Sequence, residues 1–356
     1  RTARATPLLG AALAATLVLS SCSGSSAGSG EDDGKLRVVA TTTQLHDFAA
    51  EVGGDDIELT GLLPAGGSAH HFDPSPADLL ALGEADVLIV NGGGLEGFVD
   101  GAIEASGFKG DVITASDGID LAEAKQITIE GGGFVDDHDE EGEEAGHDHA
   151  GEENHDHAAE EGHDHAAEEG HDHAAEEDLA DHPSADLNPH FWTSPRYAEG
   201  MVSMIAGDLA RIDPDHADDY TERADAYVAK LHALDEWVAA QFAQVPASER
   251  VLVTGHDAMR YYLHDYGIEF AGSILPSFED NAEPSAADID ALVQAIKDRG
   301  VKAVFVESSM SPKLAETIAK EAGVKVVDSE ALYVDSLGPK GSGAETAEAV
   351  RIRYSS

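Results

Sequence analysis

The sequence predicts an α/β protein: two βα lobes with parallel sheets, joined by one long helix. Two stretches of the chain alternate short apolar runs with helix-length segments, the pattern of parallel strands covered by helices on both faces. Between them lies a mixed polar and apolar stretch, 214–245, with no Gly and no Pro after its first residue. The 356 residues are 42% apolar, which is ordinary for a globular chain of about two domains.

In the first lobe the apolar runs 36–42, 57–63, 86–90 and 111–114 read as buried strands bounded by polar residues. Helical segments over 44–52, 76–84 and 96–105 lie between them. The second lobe repeats the scheme, with strands over 250–253, 301–306 and 325–327 and helices over 257–266, 285–299 and 312–322. For the connecting helix, Asp213 offers an N-cap, Pro214 suits the first turn and Pro246 is a stop. At 1.5 Å per residue its roughly 30 residues would span about 45 Å, the height of both lobes. One stiff helix is expected to permit less hinge motion than several crossing strands. The expected organisation is a signal over 1–21, a tether over 22–35 and a first lobe over 36–195 with an insert at 131–181. A helical region over 196–246 and a second lobe over 247–356 follow.

The chain carries 21 Lys and Arg against 70 Asp and Glu, a formal charge of -49. Such a polyanion excludes a nucleic-acid binder resting on phosphate contacts. The single cysteine excludes a disulfide framework and a thiolate zinc site. No apolar run reaches the ~20 residues of a membrane span, which excludes an integral transporter.

Arg1 and Arg4 precede the apolar stretch Leu8 to Leu19, and Ser20-Ser21-Cys22 follows, which reads as a secretory signal. Leu19-Ser20-Ser21-Cys22 resembles a bacterial lipobox, so Cys22 is the expected lipidation site. The Ser, Gly and Asp residues after it suit a flexible tether. The expected location is outside the cytoplasmic membrane, lipid-anchored to its outer face or periplasmic.

Residues 131–181 hold 21 of the acidic residues and no Lys or Arg. Within them His147-Asp148-His149, His155-Asp156-His157, His163-Asp164-His165 and His171-Asp172-His173 recur every eight residues. A segment with so little to bury is expected to be disordered. Imidazoles suit Zn²⁺, Cu²⁺ and Ni²⁺, and the carboxylates raise the local cation concentration. The eight histidines are therefore expected to be weak auxiliary metal ligands, because ordering a floppy chain costs entropy.

Outside the insert, His46, His216, His232 and His264 lie on predicted helices and read as surface or packing residues. Three others sit after strands or in turns facing a common cleft: His70 in Ala69-His70-His71-Phe72-Asp73-Pro74, His190 in Asn188-Pro189-His190-Phe191-Trp192, and His256 in Thr254-Gly255-His256-Asp257. Asp335 follows the last strand in Val334-Asp335-Ser336-Leu337-Gly338. Ligands of open α/β sheets bind outside the C-terminal strand ends, where these residues fall.

These four patterns, together with the segment from Glu307 to Ile318, run in one order across nearly all of Leu36 to Gly338. The chain thereby resembles the metal-binding lipoproteins of bacterial zinc and manganese ABC transporters, most closely the zinc-uptake branch with a His-rich loop. The resemblance implies a metal held between the lobes by His70, His190, His256 and Asp335. It also implies an ABC permease and its ATPase as partners. His71 stands beside His70 as an alternative, and Glu307, Asp73 or a water is an alternative to Asp335. Asp257 and Asp73 are candidates to orient the histidines. The resemblance departs at 344–356, where the longer amphipathic helix that usually closes the second lobe is absent.

Three imidazoles and a carboxylate form a complete tetrahedral shell for Zn²⁺, whereas a carboxylate-richer site would suit Mn²⁺ better. The expectation is a monomeric, non-enzymatic Zn²⁺-binding component, with Mn²⁺ as the alternative cargo. An adhesin or zinc buffer of the same fold is a second reading. A zinc hydrolase is a third, but no His-Glu-x-x-His occurs. Deleting residues 131–181 should leave one tight metal site in calorimetry while removing the weak ones. Loss of the tight site would place it in the insert instead.

Overall fold

Four short strands and the helices between them build the first lobe of the computed structural model, which describes residues 34–130, 187–277, 283–327 and 332–346. In chain order they are β1 (Leu36–Ala40), α1 (Thr43–Gly53), β2 (Ile57–Gly61), α2 (Pro76–Glu84), β3 (Val87–Val90), α3 (Val99–Ser106), β4 (Asp111–Thr114) and α4 (Leu121–Glu130). Two long helices follow, α5 (Pro195–Ile212) and α6 (Ala217–Phe242). The second lobe consists of β5 (Val251–Thr254), α7 (Arg260–Asp265), β6 (Glu269–Ser273), α8 (Ala286–Asp298), β7 (Ala303–Phe305), α9 (Pro312–Ala322) and β8 (Lys325–Val327).

Each lobe has a four-stranded sheet, ordered β2-β1-β3-β4 in the first and β6-β5-β7-β8 in the second. Every strand pair is parallel. All four residues of β3 are buried, as expected of a strand covered on both faces. Local signals set the helix starts. Ser75 and Asp78 form a reciprocal capping box with Pro76 in the first turn of α2, and Ser285 and Asp288 do the same for α8. Gly323, at φ 78°, closes α9 in the left-handed region that favours glycine.

The long helix belongs to both cores. Tyr220, Tyr227 and Leu231 of α6 pack with Phe48 and Val52 of the first lobe and with Ile205 of α5. Farther along the same helix, Val238 and Phe242 join Leu252, Tyr262 and Tyr266 of the second. Among the described residues no helix is long and apolar enough to cross a membrane.

Several boundaries differ from the sequence reading. The connecting helix, expected over 214–245, is a 3-10 turn at Pro214–His216 followed by a 26-residue α-helix. Thr41 and Thr42 were expected in β1, but Thr42 instead accepts from the Leu45 amide and caps α1. The helix expected from residue 96 begins at Val99. Glu96 turns its carboxylate back to accept from the amides of Asn91 and Gly92 and the hydroxyl of Thr41. Strand β6 was missed because Glu269–Ser273 has only Phe270 and Ala271 as apolar residues and pairs with β5 through a register shift.

Helix α5 lies against the turn at Ala115–Gly118, with Gly200 and Gly118 backbone to backbone. A side-chain carbon at Gly200 would fall on the carbonyl oxygen of Gly118, which no rotamer change can relieve. Gly200→Ala should therefore lower the unfolding free energy by about 1–3 kcal/mol in urea titrations.

Candidate metal centre

Four side chains from different parts of the sequence meet between the lobes. His70 lies on the 3-10 turn Ala69–His71 that follows β2, and the Ser68 hydroxyl caps that turn by accepting from the His70 amide. His190 precedes the 3-10 turn Phe191–Thr193 that leads into α5. His256 stands two residues beyond β5, and Asp335 lies in the segment after β8. One donor atom from each can be chosen so that all four lie within 4.8 Å of one another. His190 and His256 are fully buried, Asp335 is 2% exposed, and His70 is half-buried. The half-buried member marks the side from which the cluster meets solvent.

The distances are short. His70 Nε2 is 3.1 Å from His190 Nε2, which is 3.3 Å from His256 Nε2. Asp335 Oδ1 lies 3.1 Å from His256 Nε2 and 3.7 Å from His190 Nε2. Despite that proximity, Asp335 Oδ1 makes no well-directed hydrogen bond. Its other oxygen is held by the Ser309 hydroxyl, which donates to Oδ2 at 2.7 Å. That leaves Oδ1 as the free donor.

Neighbouring groups fix the tautomer of His190. Asn188 Oδ1 accepts from the His190 amide at 3.1 Å and contacts His190 Nδ1 at 2.8 Å. The Asn188 amide nitrogen donates to the Asp257 carbonyl, which fixes which end is oxygen. Nδ1 must then carry the proton, so Nε2 presents a lone pair to the cluster. Behind His256, Glu307 Oε1 lies 3.7 Å from Nδ1, beyond hydrogen-bond range but close enough to stabilise charge on the ring. Glu307 Oε1 also accepts from the Gly255 amide at 3.1 Å. A side-chain carbon at Gly255 would strike the Glu307 carboxylate, so the approach requires glycine.

Charge in the cluster follows from burial and proximity. Burial first, then the neighbouring His256 and His70, hold the His190 pKa well below the ordinary histidine value. For His256 burial acts in the same direction, but Asp335 and Glu307 overcome it and hold the pKa well above that value. Burial alone would raise the Asp335 pKa, yet His256, with help from His190 and His70, keeps it well below the usual carboxylate range. These directions favour a neutral His190 and a proton held by the His256–Asp335 pair in the metal-free cluster.

Of the alternatives open in the sequence, the exposed His71 and Asp73 lie outside the four-residue cluster. Glu307 stands behind His256 rather than among the four. Asp257 was expected to orient a histidine, but its carboxylate is taken by the buried Arg260 guanidinium. Only its backbone carbonyl serves the site, through Asn188. Asn188 and Ser309 had no role in the sequence reading: an amide or a hydroxyl near a ligand carries no signal until the fold brings it there. The insert histidines His147, His149, His155, His157, His163, His165, His171 and His173, and Cys22, lie outside the described residues.

Two parallel-sheet lobes with convergent metal-type donors between them define a two-lobed metal-binding protein. The family model described as zinc-uptake complex component A, periplasmic (ZnuA), matches residues 38–349, and the chain belongs to that family. The manganese-binding lipoprotein MntA of Bacillus subtilis is 29% identical over 344 residues, covering 96% of this chain and 94% of that one. The zinc-binding lipoprotein AdcA of Streptococcus pneumoniae is 30% identical over 293 residues, 82% of this chain and 49% of that one, so the chain spans about half of AdcA. Among solved structures, the periplasmic zinc-binding protein TroA of Treponema pallidum has a TM-score of 0.65 at 22% identity, covering 88% of this chain and 94% of that one. That likeness supports the fold.

A divalent ion bound at Nε2 of His256 must displace the proton held there, so binding should release about one proton per ion near neutral pH. Because the metal-free form binds that proton and the loaded form cannot, affinity should fall as pH falls, by up to about tenfold per pH unit below the His256 pKa. Titration calorimetry in buffers of differing ionisation enthalpy measures the released proton directly. A heat independent of buffer would contradict the assignment.

Proposed function

We propose that the protein captures Zn²⁺ outside the cytoplasmic membrane and delivers it to an ABC permease driven by a cytoplasmic ATPase, with His70, His190, His256 and Asp335 as the ligands. The observation that carries this reading is the convergence of three imidazole nitrogens and one carboxylate oxygen at neighbour separations of 3.1–3.7 Å. A tetrahedral ion with bonds of about 2.0–2.1 Å has donor–donor edges of about 3.3 Å, so one Zn²⁺ would fit among them. No other group of three or more such donors is found among the described residues.

Burial adds to the case. Two rings and a carboxylate withdrawn from water, with a third ring at their edge, are destabilising unless a proton or a cation lies between their lone pairs. Four protein donors also fill a tetrahedral shell and leave no position for a catalytic water, which favours a carrier over a zinc hydrolase. Lipid anchoring through Cys22 would keep the carrier beside its permease.

A manganese-carrying role is the second reading. It is favoured by the relatives named manganese-binding that align over nearly the whole chain. The ligand set favours zinc, since three imidazoles and one carboxylate are softer than Mn²⁺ prefers. Both readings use the same four residues, and the metal that co-purifies from cells separates them.

His190→Ala should lower Zn²⁺ affinity by more than the roughly 10–100-fold loss typical of removing an outer partner of a ligand. A strain lacking the protein should grow poorly when zinc is limiting and recover with the wild-type chain but not with the variant. Recovery by manganese alone would favour the manganese reading.

A further inference from the structure

Asp335 belongs to the second lobe by sequence, but the backbone around it is fastened to the first. The segment leaves the second lobe at Leu332, whose carbonyl accepts from the Ser308 amide at 3.0 Å. The side chains of Leu332 and Val334 pack in the second-lobe cluster with Leu252 and Tyr262. The Asp335 carboxylate keeps Ser309 of the second lobe, but the polar contacts of Val334, Ser336 and Leu337 cross over. The Val334 carbonyl accepts from Trp192 Nε1 at 2.8 Å and from Gln44 Nε2 at 3.1 Å. The Leu337 amide donates to Thr43 Oγ1 at 2.8 Å, and the Gly66 amide donates to Ser336 Oγ at 2.9 Å.

We propose that Trp192 and Gln44 are positioning residues for Asp335. By saturating the Val334 carbonyl from the first lobe, they hold the next residue's carboxylate at the metal and so set the lifetime of the bound ion. A carbonyl oxygen has two lone pairs, and both find donors here, so the peptide plane between Val334 and Asp335 is fixed in rotation. Trp192 also sets its ring against His190, with centroids 5.2 Å apart, so one side chain touches a ligand and steers another. Gln44 is buried at the start of α1, where a lost partner would leave its amide without solvent. Both sequence neighbours of Asp335 are fastened across the lobes. Its withdrawal therefore requires breaking contacts distant from the metal.

The proposal rests on the reading that Asp335 is a metal ligand, and the experiment separates the two. The full-length protein is loaded with Zn²⁺ and its release to excess chelator is timed. Trp192→Phe keeps a ring beside His190 and removes the indole donor with part of the ring volume, while Gln44→Leu keeps the bulk and removes the amide. Release from the double variant should be about tenfold faster, as expected for losing hydrogen bonds that fix a ligand. The visible bands of the Co²⁺-loaded form should shift toward those of Asp335→Ala. Adding the two substitutions to Asp335→Ala should give no further acceleration, because there is then no carboxylate to position. Wild-type release from the double variant, or equal acceleration with and without the Asp335 carboxylate, would overturn the clamp. If Asp335→Ala itself retained Zn²⁺ as the wild type does, the ligand reading would fall instead. Should the double variant not fold, Thr43→Val removes the acceptor for the Leu337 amide and the donor to Gln44 Oε1, and faster release is expected there too; an unchanged rate would count against the proposal.

Discussion

Lone pairs brought face to face in a buried space are the constraint on which the rest of the structure depends. Imidazole nitrogens at 3.1–3.3 Å from each other, beside an ionised carboxylate, need a proton or a cation among them. A proton held by the His256–Asp335 pair meets that need in the metal-free protein, and a divalent ion replaces it. The ion thus enters a site already organised for positive charge, which limits the reorganisation that binding requires.

That organisation comes from groups behind the donors. Asn188 sets the tautomer of one ring, Ser309 occupies one oxygen of the carboxylate, and Glu307 stands behind another ring through a gap that only Gly255 leaves open. In the second sheet the strand order reverses between β5 and β7. His256 and Glu307 each follow one of those two strands, at the crevice where open α/β sheets bind ligands. The scaffold brings the loops together, and the outer groups decide which atom of each side chain faces inward.

Much of this was legible in the sequence because it rests on local patterns. Buried parallel strands appear as continuous apolar runs, α2 and α9 begin at their prolines, and α9 ends at the glycine after it. The histidines after strand ends pointed to the crevice because topology fixes where those ends lie. What could not be read depended on contacts distant in sequence. Strand β6 has too few apolar residues to announce itself. The late start of α3 follows from Glu96 reaching back to Asn91 and Thr41. The roles of Asn188 and Ser309 exist only once residues far apart in the chain are neighbours. His70 and His71 are alike in sequence, and only the 3-10 turn distinguishes the inward ring from the exposed one.

The placement of α6 has a consequence for how the protein comes apart. Because its tyrosines complete one core and its Val238 and Phe242 complete the other, neither half can melt without stripping apolar surface from the other. Melting should therefore be a single cooperative event for the whole body rather than two separate transitions.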